Sequence, residues 1–289
     1  MADVLVMTDT VACIPAEVAE KQRIQVVPAA NITVGDKDYI EGVTLSVSEA
    51  YDIIKRDPDH FMTSAVTPGL LLEEFRKSSK SHNEILFITI SSKLSAVAQS
   101  ANLAAESLKE ESPKTRVRVV DSLTCAGAEG LIALAAAKAA AKGMDLDSLA
   151  SLAGEVRMKT GGVLMLDTLG YTYRTGRMTK SEALEAAKMN IRPVNRMSDE
   201  GTMEFIDIVR KRSDGLKKII EVVKGDTDTN ALHFMVSHAD APDVAQRFSE
   251  QLQQEFNCLS MIISDYSPVM GYSTGPGAIF VGYHPELNL

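Results

Sequence analysis

Short β-branched runs separated by longer stretches of helical periodicity recur through the first 120 residues, and this alternation constrains the fold more than any other feature of the chain. Strand, helix, strand in that rhythm marks βαβ units, which build parallel sheets covered on both faces. The runs at 4–7, 24–28, 85–90 and 116–120 are the expected strands of such a sheet. Between them, Ser46-Val47-Ser48-Glu49 has capping-box spacing, and Thr67-Pro68 sets a capping hydroxyl before a proline at the first helical position, so a helix is expected to start at each. Residues 31–39, with Gly35-Asp36 at their centre, alternate like a hairpin inserted after the second strand.

The segment 125–143 is so rich in alanine that it reads as one helix closed by Gly143, with side chains small enough for close packing. A further helix is expected over 145–159. The pattern then changes, with strands expected at 163–166, 190–195, 203–209, 232–236, 259–263 and 278–283 and helices at 214–224 and 242–256. The expected class is α/β, with two α/β domains. Residues 1–160 would carry a mainly parallel, doubly wound sheet, and residues 161–289 a more antiparallel sheet covered by helices. No low-complexity linker joins them, so a tight interface is expected.

Composition excludes several functions. With 39 acidic against 30 basic side chains the net charge is −9, which repels phosphate backbones, so nucleic acid is not an expected partner. No apolar run approaches the ~18 residues of a membrane-spanning helix, and the apolar stretch at 4–7 is too short for a secretory signal. The expectation is a cytoplasmic protein that is not membrane-integral. Cys13, Cys125 and Cys258 are odd in number and far apart, as suits reduced thiols. His60, His82, His233, His238 and His284 have no metal-ligand spacing, so no metal site is expected. Neither the P-loop nor the dinucleotide-binding glycine pattern occurs. Gly271-Tyr272-Ser273-Thr274-Gly275 fits G-x-S-x-G, but a nucleophile elbow needs a strand before it, a helix after it, then an acid and a histidine. Here a strand-like run follows, and only His284 lies downstream, with no acid between.

Hydroxyl-rich turns recur where candidate strands end, at Thr8-Asp9-Thr10, Thr63-Ser64 and Ser91-Ser92-Lys93-Leu94-Ser95. Loops beyond the carboxyl ends of a doubly wound sheet converge on its ligand crevice. Hydroxyl donors, joined by the N-terminus of a helix following Ser92, would suit a carboxylate. Any one of these residues reads equally as a cap or turn former; their recurrence is what argues for a site.

Thr8-Asp9-Thr10, Thr63-Ser64-Ala65-Val66-Thr67-Pro68, Ile90-Ser91-Ser92-Lys93-Leu94-Ser95 with Gln99-Ser100-Ala101, Val120-Asp121-Ser122, Thr175-Gly176-Arg177 and Gly275-Pro276-Gly277 stand in the order and spacing of the DegV family, which the chain resembles over almost its whole length. The resemblance implies a long-chain fatty acid, such as palmitate or stearate, in a buried apolar tunnel between or beside the domains. It implies no catalytic residue, and no cofactor beyond that bound acid. DegV proteins resemble the lipid-binding subunits of bacterial fatty acid kinases, which present the acyl chain to a separate kinase for acyl phosphate formation. Carried over by position, Thr63 and Ser92 are the implied carboxylate ligands and Ser64 and Ser91 their neighbours. A family histidine two residues before Gly-Pro-Gly is replaced by Ser273, so Ser273 and Thr274 are the expected head-group contacts there. Arg177 is the implied contact to the head group or a partner, with an ordinary solvated arginine as the alternative, and Arg174, Arg192 and Arg196, near it in sequence, read as a local positive patch or, more simply, as a solvated face. The competing class is an enzyme acting on a small anionic or acyl substrate in the same pocket.

Magnitudes define the ligand that this resemblance implies. Burial contributes ~0.8 kcal/mol per methylene, so about a dozen supply on the order of 10 kcal/mol gross, against ~1.5 to 3 kcal/mol for each hydrogen bond to the carboxylate. The tail would set affinity and the head orientation. Met62, Leu94, Met165, Leu169 and Ile279 flank the motifs as candidate lining residues.

Overall fold

The computed structural model describes residues 4–176, 178–229 and 231–287. In chain order its first part contains β1 (Val4–Asp9), α1 (Ala16–Gln22), β2 (Ile24–Val27), β3 (Ala30–Val34), β4 (Lys37–Ile40), α2 (Val47–Arg56), β5 (Phe61–Ala65), α3 (Pro68–Ser79), β6 (Glu84–Thr89), α4 (Val97–Glu111) and β7 (Arg116–Asp121). Strands β2-β1-β6-β7 form a wholly parallel sheet, while β4-β3-β5 form a small antiparallel one. Strand alternation assigns the faces of the parallel sheet. Met7, Ile85 and Phe87 point into a core shared with Leu71 and Phe75 of α3 and Ala101 and Leu108 of α4. Val4, Val6, Leu86 and Ile88 point to the opposite core.

Expected start signals act as the sequence proposes. Ser46 accepts from the Glu49 amide while Glu49 reaches back to the Ser46 amide, a complete capping box, and Thr67 caps α3 ahead of Pro68. Removing the first of these hydroxyls (Ser46→Ala) is expected to lower stability by about 1 kcal/mol, seen as a lower urea midpoint with an unchanged m-value.

The second part contains α5 (Ala126–Ala141), α6 (Leu146–Arg157), β8 (Gly161–Met165), α7 (Lys180–Lys188), β9 (Arg192–Met197), β10 (Met203–Val209), α8 (Arg212–Asp226), β11 (Ala231–His238), α9 (Pro242–Glu255), β12 (Asn257–Asp265), α10 (Pro268–Thr274) and β13 (Ile279–Pro285). Its six strands run in the order β10-β9-β8-β13-β11-β12, antiparallel except for β11 beside β12. The α/β class and the contrast between a parallel first sheet and a mostly antiparallel later one are therefore as expected. Helices α8 and α9 cover one face of the later sheet, and α5 packs on β11 and β13 from the other.

The alanine-rich helix α5 joins the two halves. It also packs on β1, so it lies between sheets and is buried nearly all round. Small residues make this possible. A Cβ on Gly127 would lie 2.7 Å from the Met235 carbonyl oxygen, and one on Gly282 of β13 would collide with the backbone of Ala128. One buried cluster then runs from Met7 of the first sheet through Ile32 and Phe61 of the small sheet to Leu164 and Phe280 of the six-stranded sheet.

Three sites lie in local structure other than expected. The Thr63-Ser64 pair was expected in a turn at a strand end but lies inside β5. The helix expected directly after Ser92 begins only at Val97, with Ala96 before it supplying no side-chain cap. Gly271 to Thr274 belong to α10, so Ser273 sits in the last turn of a helix and not on a strand-to-helix elbow.

Candidate functional site

In the parallel sheet the chain leaves β1 for β2 on one side and returns to β6 on the other, which makes the carboxyl ends of β1 and β6 a topological switch point. Asp9 ties the two ends together. Its side chain accepts from the Val11 amide at 2.9 Å and from the Ile90 amide at 2.9 Å. Burial pushes its carboxyl up to about 7, against the pull of those two amides.

A cavity of about 420 Å³ opens at this point, within the range of ligand pockets. Its apolar wall comes from Val11 and Ile90 at the strand ends, Leu94, Leu164 of β8, Met203 of β10 and Val269 of α10. Its polar members are Thr63, Ser95, Arg174, Thr175, Ser273 and Thr274. A larger cleft of about 510 Å³ lies between Thr124, Arg157, Lys159, Arg196, Asp199 and Asp226, and a wall of such charges does not suit an acyl chain.

Of the hydroxyl residues named from sequence as carboxylate ligands, the fold brings Thr63, Ser273 and Thr274 to this cavity and leaves Ser64, Ser91 and Ser92 off its wall. Strand parity separates Thr63 from Ser64: Thr63 and Ala65 line the cavity, whereas Ser64 is exposed. Ser91 is buried, but its hydroxyl donates to the Gly201 carbonyl at 2.7 Å and so fastens its loop to the turn before β10. Ser92 is exposed, and its amide donates to Asp121 at 3.1 Å. Arg177 lies outside the described residues. Among the flanking apolar candidates Leu94 lines the cavity, while Met165 and Ile279 belong to the core under α8 and α9 and Met62 faces outward.

The hydroxyls at the cavity are not equivalent. Ser273 and Thr274 both donate to the Met270 carbonyl at 3.1 Å, within their own helix. A hydroxyl has one proton, so in this arrangement these two offer a ligand only lone pairs. Thr63 and Ser95 have no hydrogen-bond partner for their hydroxyls among the described residues, which leaves both protons available.

Among the described residues the cation at the cavity is Arg174, whose side chain is only 6 % exposed. Its guanidinium donates to the Tyr272 carbonyl at 2.7 Å and to the Tyr173 hydroxyl at 2.9 Å, and it lies over the Tyr171 and Tyr173 rings. Tyr173 in turn donates to Asp59, and Lys180 together with Tyr173 holds that carboxyl below the usual carboxylate range. The other nearby arginines are engaged elsewhere. Arg192 bonds Asp167 at 2.6 Å, and Arg196 pairs with Glu204 at 3.3 Å. Burial pushes Asp167 up, but Arg212 and Arg192 outweigh it and hold its carboxyl low.

Ser95 and Arg174 line the cavity although the sequence names the first only as part of a motif and the second only among several arginines. Ser95 lies in the same hydroxyl-rich motif, one helical turn beyond Ser91, whose carbonyl its amide meets at 3.1 Å. Arg174 was visible only as one of several arginines. Its distinguishing signal is the flanking pair Tyr171 and Tyr173, whose rings shelter the cation.

A cavity with apolar walls, several hydroxyls and a sheltered guanidinium, set at the switch point of a doubly wound sheet, has the form of a binding site for an amphipathic anion. The chain belongs to the DegV family: the family model, described as "Uncharacterised protein, DegV family", matches residues 3–286. A DegV domain-containing protein of Streptomyces coelicolor is 31% identical over 281 residues, covering 96% of this chain and 97% of the relative. Among solved structures, DegV of Bacillus subtilis, described as a fatty acid binding protein, superposes with a TM-score of 0.86 at 22% identity, covering 99% of this chain and 100% of that one. A DegV family protein from Eubacterium eligens loaded with heptadecanoic acid gives 0.85 at 19% identity, covering 98% and 100%. Among the described residues no helix is long and apolar enough to cross a membrane.

Proposed function

We propose that the cavity encloses the acyl chain of a long-chain fatty acid, palmitate or stearate in length, and that Thr63 and Ser95 donate to its carboxylate beside Arg174. The observation that carries this reading is the meeting of two unpartnered hydroxyls and a sheltered guanidinium with otherwise largely apolar walls. The fatty acids held by structural relatives support the same ligand class. Ser273 and Thr274, whose protons are committed to the Met270 carbonyl, then shape the wall. Ser64, Ser91 and Ser92 contribute to the surrounding loops. The protein is a cytoplasmic carrier in this reading, and it presents its acid to a separate kinase subunit that would supply the nucleotide.

Alanine substitutions test the head-group assignment. Thr63→Ala and Ser95→Ala are each expected to weaken palmitate retention about tenfold, the worth of one hydrogen bond to a charged group. Ser64→Ala and Ser92→Ala should retain it as the wild type does. Native mass spectrometry of protein loaded with one equivalent of palmitate reads the result. Full retention by Thr63→Ala and Ser95→Ala would place the carboxylate elsewhere.

A further inference from the structure

Glu41 follows β4, is 3% exposed, and belongs to neither the cavity wall nor any motif that led to it. Its two carboxylate oxygens accept from different elements. Oε2 takes the Thr10 hydroxyl, at the end of β1, and Oε1 takes the hydroxyl of Ser267, the residue that caps α10. Each hydroxyl is held in turn by a residue of the cavity: the Ala29 amide donates to Thr10 at 3.1 Å, and the Val269 amide donates to Ser267 at 3.3 Å. A continuous chain of hydrogen bonds thus runs from the cavity wall at Ala29 through Glu41 to the part of the wall carried by α10. That helix also carries Tyr272, Ser273 and Thr274, and the Tyr272 carbonyl is the anchor of Arg174.

We propose that Glu41 is a positioning residue that holds α10 against the end of the parallel sheet and so sets the rate at which the cavity releases its ligand. The role rests on the fatty-acid reading given above. Helix α10 spans only Pro268–Thr274, too short to hold its place by helix propensity, and bonds to an ionised acceptor are the strongest polar ties available to it. Protonating Glu41 turns one oxygen from acceptor to donor and breaks one arm of the bridge.

Burial pushes the Glu41 carboxyl up, and the Ser267 and Thr10 hydroxyls with the Val269 amide pull it back. Asp9, Cys13 and Tyr51 face it from β1, the turn after it and α2, and Glu17, His238 and Asp265 share the cleft of about 450 Å³ that Glu41 lines on its other side. The sign separates two effects. A raised folded-state value means that protonation relieves a buried charge, so acid does not weaken the global fold through Glu41. Acid weakens only the bridge.

The experiment follows exchange of bound palmitate for ¹³C-palmitate by native mass spectrometry between pH 7.5 and pH 5.5, with thermal melting recorded on the same samples. Glu41→Gln is expected to exchange about tenfold faster than wild type at pH 7.5, the loss of one charge-assisted arm, with little change in melting temperature. Wild-type exchange should accelerate on acidification towards the Glu41→Gln rate, and the Glu41→Gln profile should keep only the dependence contributed by palmitate and by Asp9, whose carboxyl is pushed up to about 7. Ser267→Ala, which removes the α10 arm alone, should also exchange faster. Wild-type rates and an unchanged pH profile in both variants would overturn the role of Glu41 while leaving fatty-acid binding intact. A wild-type protein that takes up no palmitate would overturn both.

Discussion

Gly282→Val is expected to be the most damaging single substitution in the molecule, costing at least about 3 kcal/mol, the upper end of overpacking penalties. Gly282 lies in the middle of β13, where the sheet meets the first turn of α5, and an added side chain would land on the Ala128 backbone. Backbone cannot rotate away as a flexible side chain can, so either α5 lifts from the sheet or the sheet bends. Gly127, facing Met235, meets the same constraint from the helix side. Urea denaturation monitored by circular dichroism gives the free energy, and a variant within 1 kcal/mol of wild type would show that α5 can move outward freely.

Arg174→Ala should have the largest effect on ligand binding. The guanidinium is almost fully enclosed, donates to the Tyr272 carbonyl and to Tyr173, and lies over two aromatic rings. Its removal deletes a fixed positive charge at the cavity and leaves the Tyr272 carbonyl without that donor. Palmitate affinity is expected to fall about tenfold to a hundredfold, the range of a hydrogen bond to a charged group. Arg174→Lys should recover little, because an ammonium lacks the planar fork that reaches both partners. Competition calorimetry with palmitate gives both affinities. Equal affinities for wild type and Arg174→Ala would show that the head group lies away from this cation.

Much of the fold could be read from the chain because local signals and tertiary structure agree. The parallel strands are β-branched runs, α2 and α3 open on their capping residues, and the alanine-rich stretch is a helix. The small sheet was half visible: its hairpin alternates, but β5 begins with Phe61-Met62-Thr63, whose pairing with β3 is a long-range event with no local mark. The site was legible to the same degree. Thr63, Ser273 and Thr274 meet at one cavity, yet which neighbour faces inward depended on strand parity and loop path. Ser92 and Ser95 differ by three positions in one motif, and only the late start of α4 at Val97 sets Ser95 against the ligand space. Arg174 lies where several arginines crowd the sequence, and its burial arises from contacts with Tyr272, nearly a hundred residues away.

The alanine-rich helix has a further consequence. Because α5 packs on β1 from one side and on β11 and β13 from the other, neither half of the chain keeps a complete hydrophobic core without it. The two sheets share a wall, so loosening one exposes the other to water. Opening of either sheet is therefore expected to propagate to the other as one cooperative event.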